Sequence, residues 1–77
     1  MTHHKLMVAA LNLRPGQRLG VEASELRRIA ESMTRPEWKR MMFTESDFRD
    51  FIADCEDNWD VEFEESRYGD GYDVVGR

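Results

Sequence analysis

Few residues in this chain are able to do chemistry, and their spacing argues against most of it. Cys55 is the single cysteine, and a thiol nucleophile needs an adjacent base and a third group to orient that base. At helical spacing its neighbours are Phe51 and Ile52, which predicts a core position. His3 and His4 are adjacent rather than one helical turn apart and lie among the first residues, so they form a poor metal pair and predict an exposed, fraying start. The acidic run Asp54 to Asp60 invites a calcium-loop reading, but Trp59 stands where such a loop needs glycine. Gly69-Asp70-Gly71 opens no helix, and neither G-x-G-x-x-G nor G-x-x-x-x-G-K-[ST] occurs, so a phosphate cradle has no support. Carboxylates are too abundant to single out a catalytic pair, and glycoside-type catalysis needs a larger cleft than so small a core frames. The expectation is a protein that is not an enzyme and needs no cofactor or metal.

The elements that position these residues are limited by length. Seventy-seven residues allow one core, so residues 1–77 are expected to form a single compact domain. The chain is 40% hydrophobic and 35% charged, the latter well above the ~25% of ordinary domains. One cysteine closes no internal disulfide, no apolar run reaches the ~18 residues of a membrane span, and Met1-Thr2-His3-His4-Lys5 lacks the apolar stretch of a secretory signal. A cytoplasmic protein without a membrane partner is expected. Charge divides along the chain. Residues 1–42 hold eight Lys/Arg against four Asp/Glu, and residues 43–77 hold three against twelve. Such asymmetry points to an electrostatic partner, to attraction between the halves, or to an oligomer in which basic and acidic halves meet.

Lys5 to Leu13 fits a helix (Leu6, Ala10, Leu13) or a strand (Leu6, Val8, Ala10), with Ala, Leu and Met content favouring helix. Arg14-Pro15-Gly16-Gln17 predicts a type II turn. Arg18 to Val21 reads as a short strand weakened by Gly20. Leu26, Ile29, Ala30 and Met33 recur at i, i+3, i+4, i+7 and predict a helix over 24–33. Thr34-Arg35-Pro36-Glu37 has capping-box spacing and introduces either a short helical turn over 37–42 or an extended segment. Phe43-Thr44-Glu45-Ser46-Asp47-Phe48 joins a capping box to a hydrophobic staple, so a helix is predicted from Glu45 to about Asn58. Trp59, Val61 and Phe63 then alternate with Asp60, Glu62 and Glu64 as a half-buried strand. A turn at Gly69-Asp70 or Asp70-Gly71 returns the chain through Tyr72 to Gly76. Either turn puts Val61, Phe63, Tyr72 and Val74 on one face and Asp60, Glu62, Glu64 and Asp73 on the other. The expected fold is α+β, two or three helices on a C-terminal antiparallel hairpin. Its expected core is Leu26, Ile29, Met33, Phe43, Phe48, Phe51, Ile52, Trp59, Val61, Phe63, Tyr72 and Val74.

On the predicted third helix, Asp47, Asp50, Asp54 and Asp57 recur at i+3, i+4, i+3. Each neighbouring pair of like charges costs roughly 0.2–0.5 kcal/mol. Asp54 and Asp57 also lie toward the end where the macrodipole disfavours anions, so local helix stability does not account for them. Together with Asp60, Glu62, Glu64 and Asp73 they are expected to form one outward negative surface that imitates a nucleic-acid backbone and binds a partner. The opposing candidates are Arg27, Arg28, Arg35, Lys39 and Arg40, clustered where a DNA-contacting helix would lie.

The order helix, strand, helix, turn, helix, hairpin, closing on Gly69-Asp70-Gly71-Tyr72-Asp73-Val74-Val75, resembles a winged-helix domain over about residues 18–76. That resemblance implies DNA binding, yet the helix before the hairpin carries Asp47, Asp50, Asp54 and Asp57 where a reader of DNA needs Lys or Arg. In size and charge, though in no motif, the chain is also similar to small acidic phage inhibitors of host defence, anti-CRISPR proteins among them. The leading expectation is an inhibitory module that blocks the basic surface of a nucleic-acid-processing protein. The alternative is a winged-helix-like transcriptional regulator that uses the basic half.

Overall fold

The computed structural model describes residues 1–34, 36–66 and 69–77. Its elements in chain order are α1 (His3–Leu11), β1 (Arg18–Glu22), α2 (Ala23–Met33), a 3-10 segment η1 (Glu37–Met42), α3 (Glu45–Trp59), β2 (Val61–Glu65) and β3 (Gly71–Gly76). The fold is α+β, with the helices packed against a three-stranded antiparallel sheet in the order β1-β3-β2. No described helix is long and apolar enough to cross a membrane.

Local chemistry explains most of these elements. Thr2 starts α1 by accepting a hydrogen bond from the Lys5 N–H at 3.2 Å, and Leu6 and Ala10, one turn apart, are fully buried. The segment expected over 5–13 is thus helical as far as Leu11, and the helix begins earlier and ends two residues sooner than its apolar spacing indicated. His3 is not an exposed, fraying end: its ring lies 5.7 Å from Trp59 and 6.4 Å from Phe51, half-buried. The turn at Arg14 forms as expected, with Gly16 at φ 85° and the Gln17 N–H donating to the Arg14 carbonyl at 2.9 Å. At α3 the full capping box is present: Thr44 accepts from the Asp47 N–H, and the Asp47 carboxylate accepts from the Thr44 N–H at 3.0 Å. Asp60 closes α3 in the left-handed region at φ 53°, which lets the chain enter β2 without an intervening loop.

Phe63 faces Val74, which faces Leu19, so the inner face of the sheet runs across all three strands. Val61, Phe63, Tyr72 and Val74 share that face as expected, but the turn differs. Glu65 stands opposite Tyr72, and the Ser66 N–H donates to the Gly71 carbonyl at 2.9 Å. The pairing thus closes at Ser66 and Gly71, so neither Gly69-Asp70 nor Asp70-Gly71 is a two-residue turn; positions 67 and 68 lie outside the described residues. The faces survive because this register differs from the expected ones by an even number of residues.

The core comprises Leu6, Ala10, Val21, Leu26, Ile29, Ala30, Phe48, Cys55, Trp59, Val61 and Val74, with Phe43, Phe51, Ile52, Phe63 and Tyr72 packed against it half-buried. Met33 does not belong to it. Although spaced correctly from Leu26, it is 47% exposed, because it is the last residue of α2 and lines an open groove beyond the buried Ala30. The capping box expected at Thr34 is also missing: Thr34 closes α2 instead, its hydroxyl donating to the Ala30 carbonyl at 2.9 Å, and no side chain caps η1.

Candidate partner-binding surfaces

Two groups of carboxylates that sequence spacing joins into one surface are separated by the fold. On α3, Phe48, Cys55 and Trp59 point into the core, which leaves Asp50, Asp54 and Asp57 on the opposite, solvent side. On β2 and β3, Glu62, Glu64 and Asp73 alternate with the inward residues and so occupy the sheet face turned away from the helices. A layer of helix and a layer of sheet lie between the two groups. The single negative face expected from the sequence is therefore not formed.

Their electrostatic circumstances also differ. The Arg18 guanidinium lies 2.9 Å from Glu64 and 3.3 Å from Asp73, and the Glu64 hydrogen bond first, then its charge, raise the Arg18 pKa above its ordinary value. This reach crosses all three strands. Gly20, next on the same face of β1, puts no side chain in its way. Arg77 stands 3.8 Å from Asp60 and 3.8 Å from Glu62. Asp60, Glu62, Glu64 and Asp73 are thus each attended by an arginine of the same chain. Asp47 is also committed. Hydrogen bonds from the Thr44 N–H and hydroxyl hold its carboxyl below the usual range, with a smaller contribution from Lys39.

Among the described residues, no cation forms an ion pair with Asp50, Asp54 or Asp57, and the last turn of α3 contains no basic residue. Asp47, Asp50 and Asp54 rim a groove of about 360 Å³ between α3 and the end of α2, floored by Ala30 and Phe51 and flanked by Met33 and Lys39. Asp57 continues the stripe beyond the groove.

The basic candidates are largely occupied. Arg27 pairs with Glu45 and lies 4.8 Å above the Phe48 ring. Arg40 donates to the Ser32 and Thr34 carbonyls, each at 3.1 Å, and so satisfies the open end of α2. Lys39 faces the groove aspartates. Arg28 is exposed, and Arg35 lies outside the described residues. Cys55 is buried, and burial first, then Asp54 and Glu56, push its thiol up to about 12, so it stays protonated and unreactive.

Sequence reasoning missed the Arg18 strap, which joins residues 46 and 55 positions apart and leaves no local signature. It also missed Glu56, whose carboxylate accepts from the Phe63 N–H at 3.0 Å and fixes α3 over the outer edge of β2. Met41 and Met42, 91% and 67% exposed, together with Trp38 at 61%, form an apolar ridge on η1. Its signal was present in the sequence as an apolar segment without helical or strand period. Comparisons with protein-family models, with curated proteins and with solved structures return no match.

Proposed function

We propose that this chain is a non-enzymatic binding module whose α3 face occupies a basic, nucleic-acid-binding surface of a partner protein. One observation carries the reading: Asp50, Asp54 and Asp57 repeat on the outer side of α3 without a described ion-pair partner, while the carboxylates of the sheet are attended by Arg18 and Arg77. The helix retains like charges that disfavour it by roughly 0.2–0.5 kcal/mol per neighbouring pair, and a basic partner would turn that repulsion into attraction. The stripe sets one carboxylate per about 4.5–6 Å of helix axis, a row of anions that Lys and Arg side chains aimed at phosphates would accept. Asp60, Glu62, Glu64 and Asp73, also expected to bind the partner, have a lesser part in this reading.

The winged-helix-like alternative draws support from the element order, with three helices and a hairpin joined by β1. As a reader of DNA it has less support, because Arg27 and Arg40 are committed within the chain and the helix before the hairpin would repel phosphates.

Immobilised protein should retain nucleic-acid-binding proteins from a cell lysate, release them as salt rises from about 50 to about 300 mM, and lose them to added duplex DNA. Asp50→Lys with Asp54→Lys should abolish retention, whereas Glu62→Lys with Glu64→Lys should largely preserve it. Retention that ignores both salt and the α3 substitutions sinks the proposal. A low-salt gel shift of duplex DNA by the isolated protein would favour the regulator.

A further inference from the structure

We infer that the η1 ridge and the groove beside it form one docking surface, and that its occupant is a basic amphipathic helix of another protein. The inference rests on the reading above that α3 meets a basic partner, and it specifies the form that partner takes. In a 3-10 segment, residues three apart eclipse, so Trp38 and Met41 lie along one edge of η1 and Lys39 and Met42 along the next. The third edge, Glu37 and Arg40, is turned to α2, where the Arg40 guanidinium holds the Ser32 and Thr34 carbonyls. No residue of η1 is buried. Trp38, Met41 and Met42 therefore add nothing to the core, yet the segment that presents them is tied in place by Arg40. An exposed tryptophan with two adaptable methionines is the composition of an interface centre rather than of an ordinary surface.

Charge complementarity selects the occupant. Met33 and Lys39 link the ridge to the groove rimmed by Asp50 and Asp54, so apolar and acidic surfaces adjoin. A helix with an apolar stripe flanked by Lys or Arg satisfies both at once. Nucleic acid and anionic lipid would be repelled by the same aspartates. A second copy of this chain is a poorer match. The helix it could offer is α1, which exposes Val8 and Leu11 beside one lysine, Lys5, while the apolar faces of α2 and α3 are buried.

The test is a titration of the full chain with three synthetic 14-residue probes: an amphipathic Leu/Lys helix, oligolysine, and the same amphipathic helix with glutamate in place of lysine. Trp38 is 61% exposed and Trp59 only 8%, so tryptophan fluorescence reports on the ridge. The Leu/Lys helix should bind with a blue shift, at least about tenfold more tightly than oligolysine, and the Leu/Glu helix should not bind. Met41→Ser with Met42→Ser, and separately Asp50→Asn with Asp54→Asn, should each weaken binding about tenfold with an unchanged circular dichroism spectrum. If oligolysine binds as tightly as the Leu/Lys helix and only the aspartate variant weakens it, this inference falls while the acidic-face reading stands. If only the methionine variant weakens it, the basic character of the occupant is wrong. Sedimentation that reveals a dimer lost in the methionine variant would make the occupant a second copy and overturn the inference.

Discussion

On the outer face of the sheet, Glu64 and Asp73 share Arg18, and Glu62 stands near Arg77; on the outer side of α3, Asp50, Asp54 and Asp57 recur with no described cation paired to them. Both regions are acidic in sequence, yet only one is offset by the fold. A sheet joins distant parts of the chain, so a basic residue near the start of the chain is delivered to acids near its end. A solvent-facing helix side depends mostly on what its own i+3 and i+4 positions supply, and on α3 those positions supply more aspartate, with Lys39 of η1 facing the groove but forming no ion pair with Asp50, Asp54 or Asp57 among the described residues. Counting charge along a sequence therefore overestimates the field of a sheet and reads that of a lone helix face fairly. The acidic character available to a partner is concentrated on α3.

The largest test removes the anchor on which the contrast depends. Phe48 is 2% exposed, sits beneath Arg27 and packs edge-on to Tyr72 at 5.8 Å, so it seats α3 against both α2 and the sheet. Phe48→Ala is expected to cost roughly 3–5 kcal/mol, about the whole stability of a core this size. Circular dichroism should show a largely unfolded chain, and a cooperative melt near that of the parent would refute the core assignment.

A smaller effect tests the contrast itself through its sign. Asp54→Asn with Asp57→Asn relieves like-charge and macrodipole repulsion and should stabilise by about 0.5–1 kcal/mol at low salt. Arg18→Gln should destabilise instead, by a modest amount because that pair is exposed. Both changes should fade in high salt. Urea melts that move the same way for the two variants would erase the distinction between the faces.

The smallest effect concerns the one stripe aspartate that the fold does employ. Because its hydrogen bonds depress the folded-state pKa of Asp47 below the ordinary value, its contribution is present above about pH 4 and is lost as pH falls through the depressed value. The stability gap between the parent and Asp47→Asn should thus close in strong acid. A gap that stays constant from neutral pH to about pH 2.5 would detach the capping box from α3 stability.

Most local chemistry was legible in the sequence, though the Thr34 capping box and the two-residue hairpin turn are not formed; what depends on distant pairing was not. The Thr44 box, the Arg14 turn, the α2 period and the hairpin faces each follow from a few neighbouring residues, and each is present in the structure. Met33 misled because periodicity states which side of a helix is apolar and not where the packed layer ends. Leu6 and Ala10 were ambiguous because helix and strand templates both fit α1, although burial makes them central to the core. The candidate site was half legible. The stripe on α3 was readable from spacing, but its separation from Glu62, Glu64 and Asp73 required knowing which sheet face the helices cover.

The strand order β1-β3-β2 places the latest of the three strands in the middle. Both β1 and β2 pair with residues 71–76 and not with each other, so both ladders depend on the last strand of the chain. A break in the chain before Gly71 would remove the whole ladder rather than trim an edge.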